Sequence, residues 1–431
     1  MTPTIGIRRE DKNKWEKRTP IIPKHVKFLK EKYGIETIVQ PSPIRIYNEE
    51  EYRNHGAIIK ENLEDCKIIF GVKEMPLTFF KKNKTYIFFS HTIKGQEYNM
   101  PMLKKMMDLN CNLIDYEKIT DEEGRRLVFF GRYAGIAGMI DTLWAYGKRL
   151  KWKKINQPFS EIKQTFKYDS LNEAKKHIIK IGKRIEKKGL PDKLNPFIVG
   201  FAGYGNVSNG AQEIIDLLPT VEIRPGQIKS IYEEPHENCI YKVVFREEDM
   251  VKPLKDKPFN LQEYYSNPES YESIFDKYLP YLNILMNCIY WDKRYPRLVT
   301  KKYLKNNFAK DMMLQAIGDI SVDVEGAIEG TLKTTSSDMP VFVYNPLTDD
   351  IEDGYTSEGI VIMAVDNLPC ELPRDSSKAF SDSLLQYIPS IANAEYDKNF
   401  KDLHLDSEIK KAVILYHGKL TENYQYMNKF L

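Results

Sequence analysis

Residues 197 to 212 read Phe-Ile-Val-Gly-Phe-Ala-Gly-Tyr-Gly-Asn-Val-Ser-Asn-Gly-Ala-Gln, and this stretch decides the fold. Phe197 to Ala202 is a continuous apolar run, the pattern of a strand covered on both faces. It breaks at Gly203 and Gly205, passes through Asn206, Val207 and Ser208, and continues as a helical pattern from Ala211 to Leu218. Strand, tight glycine turn and helix start together make a pyrophosphate site. Glycine lets the backbone approach the ligand, and the helix N-terminus offers unpaired N–H groups to the anion. The generic G-x-G-x-x-G pattern is incomplete, because Ser208 stands at its third glycine and Gly210 follows two residues later. Turns of this kind also join strands to helices in folds that bind nothing. The flanking strand and helix are what carry the reading toward a dinucleotide.

At 431 residues the chain suggests two or three domains of about 150 residues each. A net charge of +3 with 29% charged residues spreads both signs over a solvated surface, which argues against nucleic acid or a membrane as partner. Five cysteines (Cys66, Cys111, Cys239, Cys288, Cys370) lie far apart, so neither a disulfide framework nor a zinc site is expected, and no metal is assigned. The N-terminus has no signal-peptide pattern, and no run approaches the roughly 18 apolar residues of a membrane helix. A cytoplasmic protein acting on small molecules is expected, and a homo-oligomer is compatible with it.

The first 140 residues alternate short apolar strands with helical pieces, which argues for an α/β domain with a mostly parallel sheet. Strand patterns fall at Ile5–Arg8, Thr37–Val39, Lys67–Val72, Tyr86–Phe89 and Leu113–Tyr116, and helices at Pro23–Lys32, Met100–Leu109 and Gly135–Leu150. The segment 235–310 is rich in Tyr, Pro and Asn and reads as an irregular insertion. Strands are expected at Ala316–Val322 and Gly359–Val365, and the tail 376–431 reads as helical and returning to the first domain.

Three successive strands end in residues able to move protons. Lys73 follows Ile68–Val72 and precedes Glu74, His91 ends the next strand, and Asp115 with Glu117 ends the third. Carboxyl ends of parallel strands are where α/β sheets bind ligands, and a desolvated lysine or a histidine suits acid/base work. Arg18 and Arg126 add planar guanidinium groups matched to carboxylates. Singly, each residue is equally at home on a solvated rim; the set points to a site. In the second half, Asp319 and Asp323 close one strand and Asp366-Asn367-Leu368-Pro369 another, where they would face a cofactor or cap turns. For the adenosine ribose, Glu222 would suit NAD and Arg224 the extra phosphate of NADP. Arg224, beside Pro225-Gly226 at the strand end, tips the balance to NADPH over NADH.

The segments 6–20, 88–94, 113–118, 133–140, 203–212, 318–323 and 365–369 closely resemble the lysine–2-oxoglutarate reductase half of the bifunctional aminoadipic semialdehyde synthases. The likeness runs from residue 5 almost to the C-terminus and weakens over 150–195. More distantly, the plan is similar to lysine-forming saccharopine dehydrogenase and alanine dehydrogenase, where a split substrate domain surrounds a Rossmann domain. The resemblance implies two Rossmann-like α/β domains with an interdomain cleft: a discontinuous substrate domain, 1–140 plus 376–431, and a dinucleotide-binding domain, 141–375. It implies a monofunctional reductase condensing L-lysine with 2-oxoglutarate to saccharopine, with Lys73 and His91 as the acid/base pair. Substrate would be held by Arg18, Glu74, Asp115, Glu117, Arg126, Asp319 and Asp323. Cofactor would be held by Gly203, Gly205, Asn206, Val207, Ser208, Glu222, Arg224, Asp366, Asn367 and Leu368. Glu74 departs from the animal reductases, which carry a basic residue there, and matches the acid of the lysine-forming dehydrogenases. Alternatives are an NAD-linked lysine-forming enzyme, an opine-type reductase with other partners, or a non-catalytic nucleotide-binding relic.

Overall fold

The computed structural model describes residues 2–235, 239–308 and 312–431. Two compact units emerge, Met1–Phe130 with Pro373–Leu431, and Gly131–Leu372. Both are α/β units built on a largely parallel sheet.

In the first unit, short β-branched and aromatic segments form β1 (Thr4–Ile7), β2 (Glu36–Val39), β3 (Ile58–Ile59), β4 (Ile68–Phe70), β5 (Thr85–Phe88) and β6 (Asn112–Asp115). All six run parallel in the order β3-β2-β1-β4-β5-β6. Every residue of β4, β5 and β6 is buried, as expected of strands covered on both faces. Crossovers include α1 (Pro23–Tyr33), α2 (Glu49–Asn54) and α3 (Met100–Asp108). Pro23 starts α1 because its fixed φ suits the first turn, and left-handed Gly34 ends it. The chain departs from β1 in both directions, so a switch-point crevice opens at the carboxyl ends of β1 and β4. The tail is not helical throughout: Val413–Tyr416 pairs antiparallel to β6 and is followed by Lys419–Leu420. Its alternative was an exposed edge on β6, which this strand covers.

The second unit opens with α4 (Gly131–Trp152), then α5 (Leu171–Lys188), β7 (Phe197–Ala202), α6 (Asn206–Ile215), β8 (Thr220–Ile223) and β9 (Ile240–Phe245). A small antiparallel ladder of β10 (Val251–Pro253) and β11 (Tyr271–Ser273) follows. Then come β12 (Ile284–Asn287), β13 (Ala316–Asp319), β14 (Val341–Asn345), β15 (Asp350–Asp353) and β16 (Ile360–Met363). The sheet order is β15-β14-β16-β13-β12-β7-β9-β8. In the first unit the second strand lies beside the first, but here β9 takes that place and β8 is pushed to the edge. The segment 235–310 is therefore not an insertion as a whole. Its apolar runs Ile240–Phe245 and Ile284–Asn287 flank β7 directly, while the stretch between them and the residues from Cys288 to Phe308 leave the sheet. Among the described residues no helix is long and apolar enough to cross a membrane.

α6 begins at Asn206, directly after the glycine turn, rather than at Ala211. The glycines explain how it lies so close to α4. A β-carbon added at Gly210 would overlap the carbonyl oxygen of Arg132, and one at Gly135 the carbonyl oxygen of Val207. Gly210 thus serves helix packing and not phosphate approach. Replacing Gly210 by Ala is expected to cost about 1–3 kcal/mol in urea unfolding. The control Gly205→Ala, where nothing lies within 4 Å, should stay within about 0.5 kcal/mol. Equal midpoints for the two variants would contradict this account of the crossing.

Candidate active site

The carboxyl ends of β1, β4, β5 and β6 are tied together by buried carboxylates. Glu10, just past β1, accepts the backbone N–H groups of Val72 at 2.8 Å and Lys73 at 3.0 Å. Burial pushes its carboxyl up to about 7, opposed by the nearby Arg8. Glu74 lies 2.6 Å from Nδ1 of His91 and 2.9 Å from Nζ of Lys12. Burial opposes its charge, but the His91 and Lys12 contacts win and hold it well below the usual carboxylate range. Asp115, fully buried, accepts from the backbone N–H of Ser90 at 3.0 Å, from the Ser90 hydroxyl, and from the N–H of Glu117 at 2.8 Å.

This arrangement decides the state of His91. An ionised carboxylate only accepts hydrogen bonds, so the proton facing Glu74 sits on Nδ1, and Nε2 is left to accept or deliver a proton. His91 has φ +48°, a left-handed conformation unusual for a side chain of its size. Asn99 holds that turn, donating from Nδ2 to the carbonyls of Ser90 at 3.0 Å and His91 at 3.2 Å. The His91 ring stacks on Phe89, centroids 6.2 Å apart. Lys73, adjoining Glu74 in the chain, has its pKa lowered by burial and by the charges of Arg18 and Lys12, with Glu16 and Glu74 partly offsetting. Its amine therefore releases a proton more readily than an ordinary lysine.

Arg18 departs from expectation. Its guanidinium is buried and grips the chain's own Glu16, Nε to Oε1 at 2.8 Å and Nη2 to Oε2 at 2.6 Å. It also lies over the Phe130 ring, 4.1 Å from the centroid. The fork expected to hold a substrate carboxylate holds an internal one. Arg126 is half exposed and paired with Glu117 across the turn at Gly124, whose φ is +79°. Sequence reading missed Glu10, Lys12, Glu16, Ser90 and Asn99. The first three sit in the segment 6–20, which carries part of the resemblance but has no periodicity to single them out.

In the second unit Gly203 has φ +94°, and Gly205 caps α6 without any side-chain acceptor. The first N–H groups of α6, from Asn206 through Ser208, are thus left to an external anion, while the Ser208 side chain itself is buried. Asp319 is buried at the end of β13, accepting from Asn287 at 2.8 Å and Thr331 at 2.7 Å, and burial pushes its carboxyl up to about 6. It holds β12 and β13 together. Asp323 is exposed in the turn that follows, since the strand ends at Asp319 and not at Val322. Asp366 is exposed past β16, Asn367 half-buried, and Leu368 buried against α4, where a β-carbon at Gly138 would meet it. Glu222 and Arg224 do not lie beside β7. They belong to edge strand β8 and its exit, and Glu222 is paired with Lys242 at 3.0 Å. Among the described residues no cluster of His, Cys, Asp or Glu could hold a metal ion.

Comparison with known proteins bears on both units. The family model for the N-terminal domain of alanine dehydrogenase/PNT matches residues 6–137, and that for the C-terminal domain matches residues 269–423. Alpha-aminoadipic semialdehyde synthase of Arabidopsis thaliana is 37% identical over 98% of this chain and 41% of its own length. The mitochondrial alpha-aminoadipic semialdehyde synthase of Rattus norvegicus is 33% identical over 99% of this chain and 48% of its own. The chain thus spans less than half the length of these relatives. Saccharopine dehydrogenase [NAD(+), L-lysine-forming] of Candida glabrata is 28% identical over 89% of this chain and 91% of its own. Among solved structures an L-alanine dehydrogenase aligns over 99% of this chain and 98% of its own with a TM-score of 0.62, at 17% identity, which speaks for the fold alone.

The carboxylate ties carry a pH signature. The Glu10 carboxyl titrates near 7 when folded against an ordinary 4.5. Its contribution to stability is therefore complete below about 4.5 and is lost as pH rises through about 7. Glu10→Gln gives up one backbone acceptor at every pH but escapes this loss. The urea midpoint of the variant, relative to the unsubstituted chain, should rise between those two pH values and then level off. A constant difference across the window would remove Glu10 from the pH response.

Proposed function

The chain belongs to the alanine dehydrogenase/PNT family, and from that premise we propose that it is an oxidoreductase condensing L-lysine with 2-oxoglutarate to give saccharopine. The observation that carries this reading is the Glu74–His91 pair beside a lysine of lowered pKa, at the carboxyl ends of adjacent strands β4 and β5. Reductive condensation needs a group that takes a proton from the attacking ammonium and returns one to the departing hydroxyl. A lysine eased toward its neutral form and an imidazole with Nε2 available meet that need. Likeness to the synthases and to the saccharopine dehydrogenase supports the choice of substrates.

In this reading Lys73 accepts a proton from the ε-ammonium of lysine, freeing the amine to attack the keto carbon. His91 then protonates the carbinolamine hydroxyl from Nε2, and water leaves. Glu74 positions the ring and stabilises its cationic form through Nδ1. Arg126, the accessible guanidinium on this rim, captures a carboxylate by exchange with Glu117. Arg18, locked on Glu16, holds the floor of the site and lowers the Lys73 pKa. The turn at Gly203 and Gly205 and the open N-terminus of α6 fit a dinucleotide pyrophosphate. A reduced nicotinamide dinucleotide bound there supplies the hydride that completes the reduction. NADPH is the favoured form, and L-lysine, 2-oxoglutarate and saccharopine are the small-molecule partners.

Likeness to the NAD(+)-linked, lysine-forming dehydrogenase over 91% of that protein's length keeps the reverse direction in view. One spectrophotometric matrix separates the readings. Oxidation of NADPH is expected only with L-lysine and 2-oxoglutarate together, whereas the lysine-forming reading expects NAD+ reduction by saccharopine to exceed it. His91→Ala should lower turnover by roughly 10²–10⁴-fold, and unchanged turnover would take His91 out of the mechanism.

A further inference from the structure

The order of strands in the second unit reassigns the ribose-facing position. In a doubly wound sheet, the residue leaving the strand beside the glycine-turn strand meets the adenosine ribose. Here that strand is β9: Ala202 pairs with Phe245, and the N–H of Gly203 donates to the Phe245 carbonyl at 3.0 Å. The glycine turn and Arg246 therefore leave the sheet side by side. The Arg246 guanidinium lies over the ring of Tyr204, the residue between the two glycines, 4.7 Å from its centroid. We propose that Arg246, laid on Tyr204, is the residue that selects a 2′-phosphorylated dinucleotide. This rests on the dinucleotide reading given above and deepens it.

Three observations favour Arg246 over its rivals. Two of the three acids that follow it are engaged and the third, Glu248, is exposed: Glu247 accepts the Tyr265 hydroxyl at 2.7 Å, and Asp249 accepts the backbone N–H of Arg246 at 2.9 Å. A carboxylate turned away this way does not take up the ribose hydroxyls, as NAD would require. The Arg246 guanidinium is exposed and lies on the Tyr204 ring, an arrangement that leaves its N–H edge facing outward for a phosphate. Glu222 is consumed by Lys242, and Arg224 leaves β8, two strand spacings or about 10 Å from β7. Stacking on Tyr204 also restrains a side chain that would otherwise lose more freedom on gripping the phosphate.

The test is titration calorimetry of NADP+ and NAD+ with the full chain, its R246A and R224A variants, and circular dichroism to confirm that each variant folds. Arg246 is on the surface, so R246A should fold normally. The unsubstituted chain should bind NADP+ more tightly than NAD+. R246A should weaken NADP+ by about 10- to 100-fold and leave NAD+ nearly unchanged, and R224A should alter neither. Preference for NAD+, equal weakening of both nucleotides by R246A, no effect of R246A, or a loss carried by R224A would each overturn the assignment while leaving a dinucleotide site standing. Binding of neither nucleotide to the unsubstituted chain would overturn the dinucleotide reading and this inference with it.

Discussion

Buried carboxylates accepting from neighbouring strand ends are the constraint on which the first unit's site depends. A parallel sheet covered on both faces ends in backbone N–H groups that the ladder no longer satisfies, and leaving such groups buried and unpaired is costly. Glu10 meets two of them at the end of β4, and Asp115 meets Ser90 at the end of β5. Glu74 then ties the β4 exit to His91. In the proposed reaction the same groups that close the sheet also set the chemistry. They fix where Lys73 and His91 stand and hold an acceptor against Nδ1, while Asn99 keeps the left-handed turn at His91 in place.

Charge and burial act in opposite senses at neighbouring positions. Glu10 is pushed toward its protonated form because burial outweighs the attraction of Arg8. Glu74, less deeply covered and touching both Lys12 and His91, is held ionised. Lys73 is pushed toward neutrality chiefly by burial, with Arg18 and Lys12 adding to the shift and Glu16 and Glu74 opposing it. Carboxylates of one residue type thus serve as structural acid and charged acceptor around the single exit of β4, the kind of divergence that acid/base sites exploit. In the second unit glycine does the corresponding work. It gives the left-handed turn at Gly203, the open cap at Gly205, and the close crossing of α4 with α6 at Gly135 and Gly210.

Much of this was legible in the chain. Ile68–Phe70, Tyr86–Phe88 and Leu113–Ile114 are short apolar cores of the strands β4, β5 and β6, and the polar residues that follow them include Lys73, His91 and Asp115. The first strand of the second unit and its glycine turn were equally plain. The helix after the turn starts earlier than periodicity suggested, because Asn206 to Gly210 are small or polar residues whose helical state comes from packing on α4. Arg18 was recognisable as a cation suited to carboxylates, but not that Glu16, two residues before it, would fill its fork. Glu10 and Asn99 carry no local signal at all, since their roles lie in what they meet across the sheet.

Period, apolar runs and glycine chemistry are local properties of the chain, and they specify the α/β class, the strand-turn-helix at Phe197–Ile215 and the residue types at the strand ends. Strand order was decided only in three dimensions. β8 and β9 are both plausible neighbours for β7, and nothing within either strand says which will be chosen. Burial of Ile240–Phe245 on both faces, against an edge strand whose Val221 and Glu222 are exposed, settled it in favour of β9. That choice moved the ribose-facing position from Arg224 to Arg246, because pairing between distant segments is governed by how much surface each can bury and not by their order in the chain.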